Sequence, residues 1–100
     1  MTVLKKNRID EIQQVCSSHH VDKLYLFGSA TREDFNEDSD YDFLVRFAPF
    51  EPSQYFANYL DFKDSLENLL KRKVDVLEEQ TLKNPVLIKS IERSKKLIYG

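Results

Sequence analysis

The chain has no tryptophan, one cysteine, two glycines and three prolines in 100 residues. Each shortage excludes something. Cys16 stands alone, so there is no disulfide framework and no cysteine cluster for zinc. Gly28 is the only glycine before the terminal Gly100, so neither the P-loop pattern nor the dinucleotide-binding G-x-G-x-x-G occurs. No apolar run approaches the roughly 20 residues that a membrane-spanning helix needs. The opening "MTVLKKNRID" lacks the apolar core of a signal peptide. Fifteen basic residues face 17 acidic ones, a net charge of −2, so there is no footprint for general nucleic-acid binding. A cytoplasmic, reducing setting is expected, with neither a membrane nor direct nucleic-acid binding.

Hydrophobic residues make up 41% of the chain, enough to fold rather than stay disordered. The length suits one domain spanning residues 1–100, without repeats or linkers. Ile9, Ile12, Val15 and Cys16 recur at helical spacing and predict a helix over roughly 5–19. "KLYLF" (23–27) reads as a strand that stops at Gly28. "DYDFLVRF" (40–47) alternates, with Tyr41, Phe43, Val45 and Phe47 on one face and Asp40, Asp42, Leu44 and Arg46 on the other. Pro49 and Pro52 break the chain, and Ser53 is a candidate N-cap. Tyr55, Tyr59, Phe62, Leu66, Leu69 and Leu70 predict a long helix over roughly 53–71. "KVDVLEE" (73–79) is a third strand. Asn84-Pro85 starts a last helix with Leu87, Ile88 and Ile91 as its buried face, and "KKLIY" (95–99) is a closing edge strand. The order predicts an α/β (α+β) fold with a mixed β-sheet of about four strands and helices packed on it. The first two strands should pair antiparallel. The long helix suits a parallel crossover to the third.

One stretch, "FGSATREDFNEDSDYDFLV" (27–45), concentrates the chemistry. Asp40 and Asp42 share a strand face at roughly 6.5–7 Å between Cα atoms. Two carboxylates held side by side repel, and divalent cations give a reason to hold them. Magnesium suits such a pair, because it usually takes one or two carboxylates plus phosphates and waters. Alone, the pair reads more readily as a solvated strand end. Gly28-Ser29, at a strand end, can offer backbone N–H groups and a hydroxyl to a phosphate; alone it reads more readily as a plain turn. The loop between is acidic at Glu33, Asp34, Glu37 and Asp38, and would repel a triphosphate unless cations screened it. Asp75, between Val74 and Val76, would pay for burial without a partner. Beside the second strand it can join a metal site or take a proton from an attacking hydroxyl. A calcium loop is encoded only in part: Asp34, Asn36 and Asp38 match, but Ser39 replaces the required glycine and Val45 the bidentate glutamate. His19 and His20, at a helix end, suit capping better than metal binding. Cys16 falls on the apolar stripe and is expected in the core.

Gly-Ser, ten intervening residues, Asp-x-Asp on an alternating strand and a later strand aspartate resemble the nucleotidyltransferase superfamily that includes DNA polymerase β. "LFGSATREDFNEDSDYDFLV", "KRKVDVLEE" and "LKNPVLIKSIERSKKLIYG" resemble, more narrowly, the minimal nucleotidyltransferases. The resemblance covers about Leu24 to Gly100. It implies the nucleotidyltransferase fold, with Gly28, Ser29 and Arg32 at the nucleotide. It implies Asp40, Asp42 and Asp75 as catalytic metal ligands for two Mg2+ ions, Asp75 also assisting the acceptor hydroxyl. It implies ATP or another nucleoside triphosphate as substrate. Glu33 stands where the family often has glycine. The family is commonly paired with a small helical HEPN-type toxin, to which it is the antitoxin. Two functions follow from that: adenylylating the toxin, or neutralising it by binding alone.

Overall fold

A computed structural model describes residues 5–28 and 40–100. The N-terminal helix α1 (Lys6–Ser18) leads into strand β1 (Val21–Phe27). Strand β2 (Tyr41–Phe47) precedes a short 3-10 turn and helix α2 (Tyr55–Leu70). Strand β3 (Val74–Glu78), helix α3 (Pro85–Ser94) and strand β4 (Lys96–Tyr99) complete the chain. These are the expected elements in the expected order. The short helix or turn expected after Gly28 lies outside the described residues.

The sheet runs β3-β2-β1-β4. β1 pairs antiparallel with β2 and with β4, while β2 and β3 are parallel. The two-residue alternation of β2 decides which side chains meet which helices. Phe43 and Val45 are fully buried, Tyr41 and Phe47 nearly so. They join Leu24 and Leu26 of β1, and Val74 and Val76 of β3, in one cluster. Ile12 and Cys16 from α1 and Phe62 and Leu66 from α2 close that cluster. Both helices therefore cover the same face of the sheet. Fully burying side chains of this size stabilises by roughly 1.5–3 kcal/mol each, which is why truncating Phe43 or Phe62 should unfold so small a domain.

α3 lies on the opposite face. Leu44 and Ile91 are buried there, outside the main cluster. Asn84 caps the helix as expected, its side chain accepting from the Val86 and Leu87 N–H groups at 2.9 and 3.4 Å. Leu87, however, expected to be buried, is 38% exposed. Its periodicity is amphipathic, but α3 crosses a sheet face that it only partly covers. Ser53 does not cap α2. It sits inside the 3-10 turn Pro52–Gln54, and α2 begins three residues after Pro52 with no side-chain cap.

The helix ends explain two other residues. His19 caps α1 with a ring nitrogen 2.7 Å from the Val15 carbonyl, and its other nitrogen meets Asp61 of α2 at 2.5 Å. It thus caps α1 and ties it to α2. Cys16 is fully buried, and burial pushes its thiol up to about 12.

Candidate active site

The open face of the sheet carries Asp42 and Asp75. The parallel register sets Asp42 opposite Asp75, with Tyr41 opposite Val74 and Phe43 opposite Val76. Side chains opposite each other on adjacent strands point the same way, with strands about 4.8 Å apart. The two carboxylates therefore converge, on the side away from α1 and α2. Asp75 is exposed there. It avoids the burial cost expected of a mid-strand charge, because among the described residues its strand is covered on only one face.

Several contacts hold this register. The Tyr41 N–H donates to the Lys73 carbonyl at 3.3 Å, locking the start of β2 to the approach of β3. The Val74 N–H donates to the Glu67 carboxylate of α2 at 3.0 Å. The Tyr59 hydroxyl donates to the Val76 carbonyl at 2.7 Å. Asp75 thus sits between two residues anchored to α2. At the far end of β3 the Tyr55 hydroxyl donates to Glu78.

Gly28 completes the local geometry. It follows Phe27, the β1 partner of Asp42, and has φ +74°, a left-handed conformation that suits glycine. A Cβ at this position would lie 2.6 Å from Asp42 Oδ2. The glycine is required twice over: for its backbone angle, and because a carboxylate occupies the space a side chain would take.

Electrostatics mark the same spot. Burial, then the like charges of Asp75 and Asp40, and a hydrogen bond with Asp75 push the Asp42 carboxyl up to about 6 from its usual 3.8. Two carboxyl groups share a hydrogen bond only when one keeps a proton. Asp40, one residue before β2, is exposed and close enough for its charge to act on Asp42. Such crowding is what a divalent cation relieves. Among the described residues no three carboxylate, histidine or cysteine side chains form a ready-made metal cage. An arrangement of two facing carboxylates with a third at the rim nevertheless fits magnesium, which fills the rest of its shell with water and phosphate.

The structure thus brings Gly28, Asp42 and Asp75 together, with Asp40 beside them. Ser29, Arg32 and the acidic loop with Glu33 lie outside the described residues. One neighbour had no signal in the sequence. Ser94, in the last turn of α3, accepts the Gly28 N–H on its Oγ at 3.3 Å. A serine near a helix end is unremarkable in sequence, and only the tertiary fold places it at the glycine turn.

Residues 10–100 match the family described as "Polymerase beta, Nucleotidyltransferase", and the chain belongs to it: it is a nucleotidyltransferase domain. Within that class it is similar to proteins named as protein adenylyltransferases. A Methanocaldococcus jannaschii protein, named as a proposed protein adenylyltransferase, is 34% identical, covering 91% of this chain and 96% of its own length. The Thermococcus cleftensis protein adenylyltransferase MntA is 29% identical, over 78% of this chain and 84% of its own. A solved structure described as a proposed minimal nucleotidyltransferase superposes with a TM-score of 0.73 and 31% identity, covering 91% and 89% of the two chains. The fold is also that of an MNT antitoxin solved in complex with a tri-AMPylated Shewanella oneidensis HEPN toxin (TM-score 0.68, 18% identity, 97% and 73% covered). Among the described residues no helix is long and apolar enough to cross a membrane.

Proposed function

We propose that this chain transfers the nucleoside monophosphate of a triphosphate, ATP foremost, to a hydroxyl on a partner protein. We propose further that the partner is a small helical HEPN-type toxin, which the transfer neutralises. One observation carries the chemistry: Asp42 and Asp75 face each other across two parallel strands, beside a glycine whose missing side chain makes room for the Asp42 carboxylate. The names of the relatives support the acceptor class, because several are named for adenylylating protein. The complexes whose fold it shares support the partner class.

Asp40, Asp42 and Asp75 would hold magnesium. When bound, it would supply the positive charge that a triphosphate and an ionising hydroxyl both need. The residues of the chain do the rest. The turn at Gly28 brings backbone within reach of the phosphates. Asp42 holds its carboxylate between Gly28 and Asp75, flanked by a strand on either side. Asp75 lies on the more exposed side of the pair, where an acceptor hydroxyl arrives, and it takes that hydroxyl's proton as the oxygen attacks the α-phosphorus. The bond to pyrophosphate breaks as the new P–O bond forms. Positioning of this kind is where most of the rate in phosphoryl and nucleotidyl transfer comes from.

The test uses purified chain, a HEPN partner, magnesium and ATP labelled at the α-phosphate. Label on the partner, absent with Asp42→Asn, is expected. A tight complex in which the partner never acquires label would mean that binding alone neutralises it.

A further inference from the structure

The two faces of the sheet are filled differently. α1 and α2 cover one face, where Ile12, Cys16, Phe62 and Leu66 join the core. On the other, α3 leaves a cavity of about 220 Å³ between itself and the sheet. Tyr25 and Leu44 form its floor, Ile88 and Ile91 its roof, and Glu92 and Lys95 stand at its rim. The cavity opens to solvent, and Glu79 and Leu82 line it as well, so apolar and charged side chains share its wall. Such a mixed wall suits an occupant with apolar faces and polar edges.

We infer that this cavity seats the purine base of the nucleotide, so that α3 sets which base is used. The inference rests on the nucleotidyltransferase reading of Asp42, Asp75 and Gly28, and extends it from the phosphates to the base. Position is the first support. Leu44 follows Asp42 by two residues on β2, so their side chains are same-face neighbours about 6.5–7 Å apart. Across the sheet, Tyr25 pairs with Leu44 just as Phe27 pairs with Asp42. At the other wall, Ser94 accepts the Gly28 N–H while the next residue, Lys95, lines the cavity. The cavity therefore adjoins both halves of the phosphate site, the carboxylate strand and the glycine turn. The opposite face of the sheet is closed by core, so a nucleoside attached to phosphates at this site has its apolar shelter here.

Size is the second support. At about 220 Å³ the space exceeds the roughly 150 Å³ that takes benzene, so it has room for a two-ring base. Chemistry is the third. Pockets for such ligands are apolar with a few convergent polar groups. Here the Tyr25 ring is the stacking surface, and Lys95 Nζ, over that ring at 4.5 Å from its centroid, is the cation that a stacked base would displace. Glu92 at the rim can only accept hydrogen bonds while ionised, which matches the exocyclic amine of adenine.

The test measures equilibrium binding of two probes in magnesium, a non-hydrolysable ATP analogue and inorganic tripolyphosphate. Two variants are used. Ile88→Trp fills the cavity from the half-buried side of α3, where a larger ring is tolerated. Tyr25→Leu keeps the bulk but removes the stacking surface. Circular dichroism checks that each is folded. Analogue binding should weaken about tenfold or more, the usual scale of lost base stacking, in both variants. Tripolyphosphate binding should stay at the wild-type value. Unchanged analogue binding in the folded variants overturns the inference. So does an equal loss of both probes, which would mean a distorted phosphate site. A wild-type chain that binds neither probe removes the nucleotidyltransferase reading itself, and the inference with it.

Discussion

Gly28→Ala separates an energetic role from a chemical one. Two costs can be worked from the structure. The first is conformational. Gly28 has φ +74°, and an L-residue with a Cβ in the left-handed region costs roughly 1–2 kcal/mol. For a domain of this size that lowers the melting temperature by roughly 5–15 °C. The second is steric. The new Cβ would stand 2.6 Å from Asp42 Oδ2, a distance that real contacts do not reach. That oxygen is the far end of a side chain that can rotate, so relieving the clash adds little to the energy of the fold. It moves the carboxylate off its position, however, and a displacement of about 1 Å at a reacting centre can cost 10²-fold in rate. Gly28→Ala should therefore fold, melt somewhat lower, and lose about 10²-fold or more in nucleotide transfer. Calorimetry gives the melting temperature and labelled ATP gives the rate. In an Asp42→Ala background the steric part disappears and the conformational part remains, so the drop in melting temperature should stay nearly the same. A Gly28→Ala variant that transfers nucleotide at the wild-type rate would refute the reasoning.

Other perturbations have equally definite outcomes. Asp42→Asn removes a crowded charge, so without divalent cations at neutral pH it should melt no lower than wild type in calorimetry. It should also lose any magnesium-induced rise and all transfer. A magnesium-induced rise equal to that of wild type would contradict the assignment. Asp75→Asn should slow transfer more than it weakens nucleotide binding; equal losses in kcat and affinity would argue against a role on the acceptor side. Cys16 tests the core through pH. Its folded thiol lies near 12, raised by burial above the ordinary 9.0, so the folded state holds its proton after the unfolded state has lost it. Its stabilising contribution is complete below pH 9.0 and is lost as pH climbs towards 12. Cys16→Ala should be less stable than wild type at pH 8 in denaturant titrations, and that gap should narrow as pH rises from 9 towards 12. A gap that stays constant would contradict the burial account.

Much of this fold was legible because its signals are local. The alternation from Tyr41 to Phe47 told which side chains enter the core and put Asp42 on the other face, since the period of a strand is two. The long helix before Val74 implied a parallel crossover, which put Asp75 beside β2. What periodicity does not encode is how completely each face is covered. Asp75 was expected to need a partner against burial, yet it is exposed, because among the described residues only α3 shares its side of the sheet. Leu87 was expected inside for the same reason, and α3 does not reach far enough over the sheet to bury it. Neither the exact register of Asp42 on Asp75 nor the approach of Ser94 to Gly28 has a sequence signal, since both follow from how helices anchor the strand ends. Ser29 and Arg32, expected at the phosphates, lie outside the described residues.

The central claim is that the facing carboxylates of β2 and β3 catalyse nucleotide transfer to a protein. The most direct measurement is the label acquired by a HEPN partner incubated with this chain, magnesium and α-labelled ATP, run beside Asp42→Asn. The account predicts a labelled partner with the wild-type chain and none with the variant. Equal labelling by both chains, or a partner held in a stable complex but never labelled, would contradict it.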